Sequence, residues 1–115
     1  MSDVTIWHNP RCSKSRQTLA LVEEQGVTPV IRKYLEDAPS EAEIRAALAA
    51  LGLRPIEAMR TGEAEFREMG LSRDSDDDTL IRAMAEMPKL IERPIVFKDG
   101  KARLGRPPEQ VLDIL

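Results

Sequence analysis

The sequence predicts an α/β domain in which a mixed sheet of about four strands is flanked by helices and carries a helical insert over about residues 40–88. Three observations lead there. A short apolar run, "VTIW" at 4–7, gives way at once to helical periodicity and then to a second apolar run. The middle of the chain carries the helical period alone. Near the end, two apolar runs flank Asp99-Gly100, a strong hairpin signal.

Taken in order, the first strand stops at Pro10, which has no N–H for a ladder. A helix is expected from Ser13 to about Glu24, with Leu19, Leu21 and Val22 on its apolar side and Gly26 closing it. "PVIRKYL" at 29–35 reads as the second strand. After Pro39, Ser40 and Glu43 have capping-box spacing, and Ile44, Ala47, Leu48 and Leu51 follow as one buried face up to Gly52. "PIEAMR" and "EAEFREMG" read as shorter helices joined by a tight Arg60-Thr61-Gly62 loop. "SRDSDDD" is a solvated acidic stretch whose carboxylates favour the start of the next helix, which sets Leu80, Ile81, Met84 and Met87 on one side. No ligand spacing in that stretch supports a metal site. The hairpin "PIVFKDGKARLG" follows, and "RPPEQVLDIL" closes the chain as a helix with proline in its first turn. With no repeat or linker in view, residues 1–115 read as a single domain.

Composition narrows the function. Aromatic residues make up 3% of the chain, so aliphatic side chains and methionine must fill the core. A net charge of −3 gives no general attraction to nucleic acid or acidic membranes, so any bound anion needs a local arginine cluster. One cysteine and one histidine exclude an internal disulfide and every common zinc pattern. "MSDVTIWHNP" does not read as a signal peptide, no apolar run is long enough for a membrane span, and a cytoplasmic location is expected.

The lone Cys12 and the lone His8 sit four positions apart in "IWHNPRCSKSR", between the first strand and the first helix. A thiol reacts as thiolate, and a free cysteine titrates near about 8.5. At this position unpaired helix N–H groups, the helix dipole and the cations Arg11, Lys14 and Arg16 should all favour the anion. His8 could add a hydrogen bond or a positive charge, and Ser13 and Ser15 could donate to a thiolate or an oxyanion. The bland reading of Cys12 is a small buried hydrophobe, against which its polar loop, flanking cations and helix start argue, and that of His8 is a structural group at the strand end. Spacing excludes two chemistries. Cys-x5-Arg, which wraps a phosphate, is absent. Ser15 stands where a dithiol site has its second cysteine, so a mixed disulfide on Cys12 must be released by an outside thiol.

"HNPRCSKSR", "ERPIV" and "LGRPPE", in this order and spacing across nearly the whole chain, resemble the glutaredoxin-coupled arsenate reductase family, which is related to Spx-type proteins. The resemblance implies a thioredoxin-like core with a helical insert. It implies Cys12 as nucleophile and His8 as its assistant, with no bound cofactor and no metal. It implies three arginines on the oxyanion: Arg60 in "MRTG", Arg93 in "ERPIV" and Arg106 in "GRPPE". Pro94 would be the cis-proline facing the cysteine. Arginine suits a tetrahedral oxyanion, having several planar donors and a permanent charge. The implied cycle runs from arsenate to arsenite through a Cys12–arsenic adduct, with glutathione as co-substrate and glutaredoxin as partner, and it serves arsenic detoxification. The bland reading of each arginine is a surface ion pair; Arg32, Arg45, Arg54 and Arg82 read as solvated faces. The chain ends at Leu115, where the better-known members run on. Two other functions stay open: a monothiol glutathione-linked oxidoreductase with another substrate, and a non-enzymatic Spx-like regulator that docks on RNA polymerase. Ser15 in place of a second cysteine argues against the regulator.

Overall fold

The computed structural model describes residues 3–115; Met1 and Ser2, at the start of the segment read above for a signal peptide, lie outside the described residues. The chain forms two compact units, one built from the segment up to Asp37 together with Arg93–Leu115, the other from Ala38–Glu92. Among the described residues no helix is long and apolar enough to cross a membrane.

The first unit is built on a four-stranded sheet. Its strands are β1 (Val4–Trp7), β2 (Val30–Arg32), β3 (Ile95–Lys98) and β4 (Lys101–Leu104), in the order β2-β1-β3-β4. β1 and β2 are parallel, while β3 runs antiparallel to both β1 and β4. The parallel pair requires a crossover, which α1 (Ser13–Glu24) supplies. Strand alternation sorts the side chains. Val4 and Ile6 of β1 and Val96 of β3 are fully buried and form one core with Val22 of α1 and Val111. On the opposite face Trp7 meets Phe97 at 5.0 Å between ring centroids, and the Arg32 guanidinium lies 5.6 Å from the Trp7 ring. Arg32, read from sequence as solvated, is therefore stacked and also paired with Asp37 at 3.4 Å. The hairpin turns on Asp99 and Gly100, both at positive φ as a two-residue turn of matching twist requires.

Other local expectations are corrected. The buried face of α1 is Ser15, Thr18 and Val22, with Leu19 and Leu21 only partly covered. β2 ends at Arg32, where the reading carried it to residue 35; Lys33 begins a turn closed by Glu36 N–H donating to its carbonyl. The closing segment Pro108–Ile114 is a 3₁₀ run rather than an α-helix. It packs on α1 and β4 and brings Val111 into the core.

The second unit is helical. α2 (Glu41–Leu51) starts on the expected capping box, with Glu43 N–H donating to Ser40 Oγ at 3.1 Å and Ser40 N–H to Glu43 Oε1 at 3.0 Å. α3 (Ala64–Glu68) is short, and Pro55–Ala58, read as a helix, is one 3₁₀ turn. α4 (Asp77–Glu86) is capped by Asp76, whose carboxylate accepts from Thr79 N–H at 2.8 Å, so the acidic stretch does serve a helix start. α2 and α4 pack together, burying Ile44, Ala47 and Leu48 on one and Leu80, Ile81, Ala83 and Met84 on the other.

Candidate active site

Register places the site. Trp7, Ile95 and Leu104 lie side by side across β1, β3 and β4. The residues that follow β1, precede β3 and follow β4 therefore emerge at the same end of the sheet. Those residues are His8–Cys12, Arg93-Pro94 and Gly105-Arg106. Gly105 N–H donates to the Pro94 carbonyl at 2.9 Å, which locks two of the three segments together. The Arg93–Pro94 and Arg106–Pro107 peptide bonds are both cis. A Cβ on Gly105 would run into the Thr18 side chain and come within 2.7 Å of the Pro94 ring, so only glycine lets β4 leave the sheet this close to α1.

Cys12 is the N-cap of α1, in extended conformation, and its side chain makes no cap bond of its own. Its N–H donates to the Asn9 carbonyl at 3.0 Å and its carbonyl accepts from Arg16 N–H at 3.0 Å. The sulfur is thus set at the open N-terminal turn, partly exposed. Burial by itself pushes the pKa of the Cys12 thiol up; the backbone N–H of Ser15, the charge of Arg93 and the backbone N–H of Lys14 outweigh it and hold the pKa below the ordinary thiol value. Arg106 approaches from the other strand end. Its Nε donates to the Arg93 carbonyl at 2.8 Å, and its Nη2 comes to 3.8 Å from Cys12 Sγ. Two guanidinium groups therefore flank one sulfur, at a helix start that itself favours anions.

The loop's own polar residues do something different from what their sequence position suggests. Arg16 donates from Nη1 to the Pro10 carbonyl at 2.9 Å, bracing the loop. Ser15 is fully buried. Its Oγ accepts from Asn9 N–H at 3.0 Å and is bonded to His8 Nδ1 at 2.7 Å, so its hydroxyl serves the loop while its backbone N–H serves the thiol. His8 is buried, and its N–H donates to the Arg32 carbonyl at 2.8 Å. Desolvation, then the charges of Lys33 and Arg16, hold its pKa below the ordinary histidine value, which favours neutral imidazole. His8 thus meets Ser15 in the layer beneath the cysteine. Arg60 belongs to the second unit, where its guanidinium pairs with Glu63 and, at 3.9 Å, with Glu92. Sequence reasoning missed Thr18, Arg32 and Lys33; a polar residue one helical turn from an apolar one (Thr18 and Val22) was the available signal for the first.

A family model described as the ArsC family matches residues 7–114. The chain belongs to the ArsC family. This member is 51% identical over 114 residues to the uncharacterized protein YfgD of Escherichia coli K12, covering 97% of this chain and 96% of that one. It is 43% identical over 117 residues to a protein of Neisseria meningitidis named arsenate reductase, with both chains fully covered. Its structure is similar to one described as an arsenate reductase from Vibrio cholerae, with a TM-score of 0.93, 54% identity and 97% of each chain covered. The fold of this ArsC-family chain is the thioredoxin-like mixed α/β arrangement.

Proposed function

We propose that this ArsC-family protein reduces arsenate to arsenite through the Cys12 thiolate, and that glutathione and glutaredoxin complete the cycle in the cytoplasm. One observation carries the reading: a sulfur held toward the thiolate, with the Arg106 guanidinium at 3.8 Å and the charge of Arg93 acting on it. Homologues named arsenate reductase support it. The arginines neutralise the incoming dianion and stabilise the charge that builds on arsenic as sulfur attacks. Cys12 sulfur forms a bond to pentavalent arsenic, and one arsenate oxygen leaves as water after taking up protons. Glutathione thiolate then attacks the Cys12 sulfur. The sulfur–arsenic bond breaks with its electron pair moving to arsenic, which departs as arsenite. The Cys12–glutathione disulfide left behind needs one more thiol, because the chain has no second cysteine. His8 and Ser15 act by fixing the loop that presents Cys12. Arg60, implied by the resemblance as a third anion ligand, has carboxylate partners within its own unit.

The test is arsenite production from arsenate with glutathione and glutaredoxin. Wild type turns over and Cys12→Ser does not; an inactive wild type removes the proposal. Arg93→Ala and Arg106→Ala raise the arsenate KM well above Arg82→Ala, and equal effects would place the anion elsewhere. Turnover of protein–glutathione disulfides without arsenate turnover would replace the reading with a monothiol oxidoreductase.

A further inference from the structure

We propose that the outer edge of β2, with the turn after it, is the surface on which a thiol-bearing redox protein docks to release Cys12 from its mixed disulfide. The inference rests on the resolving step proposed above and adds the place where it happens. Val30 and Ile31 are 54% and 46% exposed, and Leu35 is 46% exposed. These three large apolar side chains stand within six residues of one another. β2 is the end strand of the sheet, so its outer edge pairs with no other strand. Successive strand residues point to opposite faces, so the exposure of both Val30 and Ile31 means that both faces of the sheet are open along this edge.

Two clefts follow the edge and share Lys33. One, of about 550 Å³, runs past Thr5, Val30 and Ile31. The other, of about 260 Å³, lies between Leu35 and Glu36 on one side and Asn9, Pro10 and Arg11 of the loop that ends at Cys12 on the other. The apolar strip thus leads to the loop that presents the reacting sulfur. Arg11 and Lys33 line the second cleft together with Glu36, leaving an excess of positive charge, and neither cation has an ion pair among the described residues, in a chain whose net charge is −3. A protein that presents a thiol beside an apolar strip and a carboxylate is complementary to this surface. A small thiol would not cover the strip, and a second copy would bring the same cations face to face.

The step itself is an exchange. The partner's thiolate attacks the glutathione sulfur and a new sulfur–sulfur bond forms there. The bond to Cys12 sulfur breaks, and Cys12 leaves as thiolate, which its arginines already favour. No further oxidant or reductant enters.

The experiment starts from protein whose Cys12 is glutathionylated, and follows release of free Cys12 by reduced glutaredoxin and, separately, by dithiothreitol. Ile31→Asp and Leu35→Asp slow the glutaredoxin reaction about tenfold or more while dithiothreitol acts at the wild-type rate. Arg11→Glu with Lys33→Glu slows it too and removes its dependence on salt. Met69→Asp, an exposed apolar site elsewhere, changes neither rate. Equal slowing by both reductants, or no slowing by either, overturns the proposal. So does a dimer in sedimentation that Ile31→Asp dissociates while the glutaredoxin rate stays unchanged. Wild-type protein on which glutaredoxin is no faster than dithiothreitol defeats the resolving step itself, a failure distinct from misplacement of the surface.

Discussion

Two layers of polar groups surround the reactive sulfur. Arg106 approaches it and the charge of Arg93 and the amides of Ser15 and Lys14 favour its anion, while Ser15 Oγ, His8 and Asn9 hold the loop beneath. Each layer has its own pH signature. Alkylation of Cys12 by iodoacetamide reaches half its limiting rate below the pH found for the urea-unfolded chain, and Arg93→Ala moves that midpoint up. A midpoint equal in both states would mean the thiol is not activated. His8 titrates in the opposite circumstance, with no partner that prefers its cation. Its folded pKa lies below the unfolded one, so the unfolded chain binds the extra proton first. The stability contributed by neutral His8 is complete above about 6.5 and is lost as pH falls through the folded value. Urea denaturation between those limits shows stability declining with acidity, and His8→Asn flattens the decline. Ser15→Ala leaves Asn9 N–H and His8 Nδ1 without their buried partner and costs about 1–3 kcal/mol in the same assay.

At the scale of elements, the tightest junction is where β4 leaves the sheet across α1. Gly105→Ala forces a methyl group into Thr18 and the Pro94 ring and costs about 1–3 kcal/mol in urea unfolding. Thr18→Ala in the same chain returns part of the loss, because the two sites are in contact. Elements with a periodic or capped signature were readable from the sequence: β1, α1, α2 from its Ser40 and Glu43 pair, α4, and the hairpin at Asp99-Gly100. Those defined by what packs on them were not. Nothing local says that β2 stops at Arg32, since Lys33 and Tyr34 continue a plausible strand. Pro108–Ile114 has a helical pattern, yet it closes as 3₁₀ where Val111 enters the core. The burial of Ser15 and Thr18 was hidden for the same reason, because a search for apolar periodicity passes over polar residues whose hydroxyls bond locally. Within the site, the cysteine and its helix start were legible from spacing, and Arg93 and Arg106 through the resemblance. Spacing alone pointed instead to Arg11, Lys14 and Arg16, which are near in sequence while Arg93 is near in space.

At the scale of the whole chain, one end of a sheet gathers segments that sequence separates widely. Cys12 and Arg106 stand 94 positions apart. They meet only because Trp7, Ile95 and Leu104 share a register. The same separation has a consequence during translation. When Cys12 leaves the ribosome its guanidinium partners have not yet been made, and Arg106 follows it by 94 positions. The nascent thiol stays mostly protonated and sluggish toward oxidants until those partners emerge and the strands align. Its reactivity is switched on by folding, after synthesis has moved far past it.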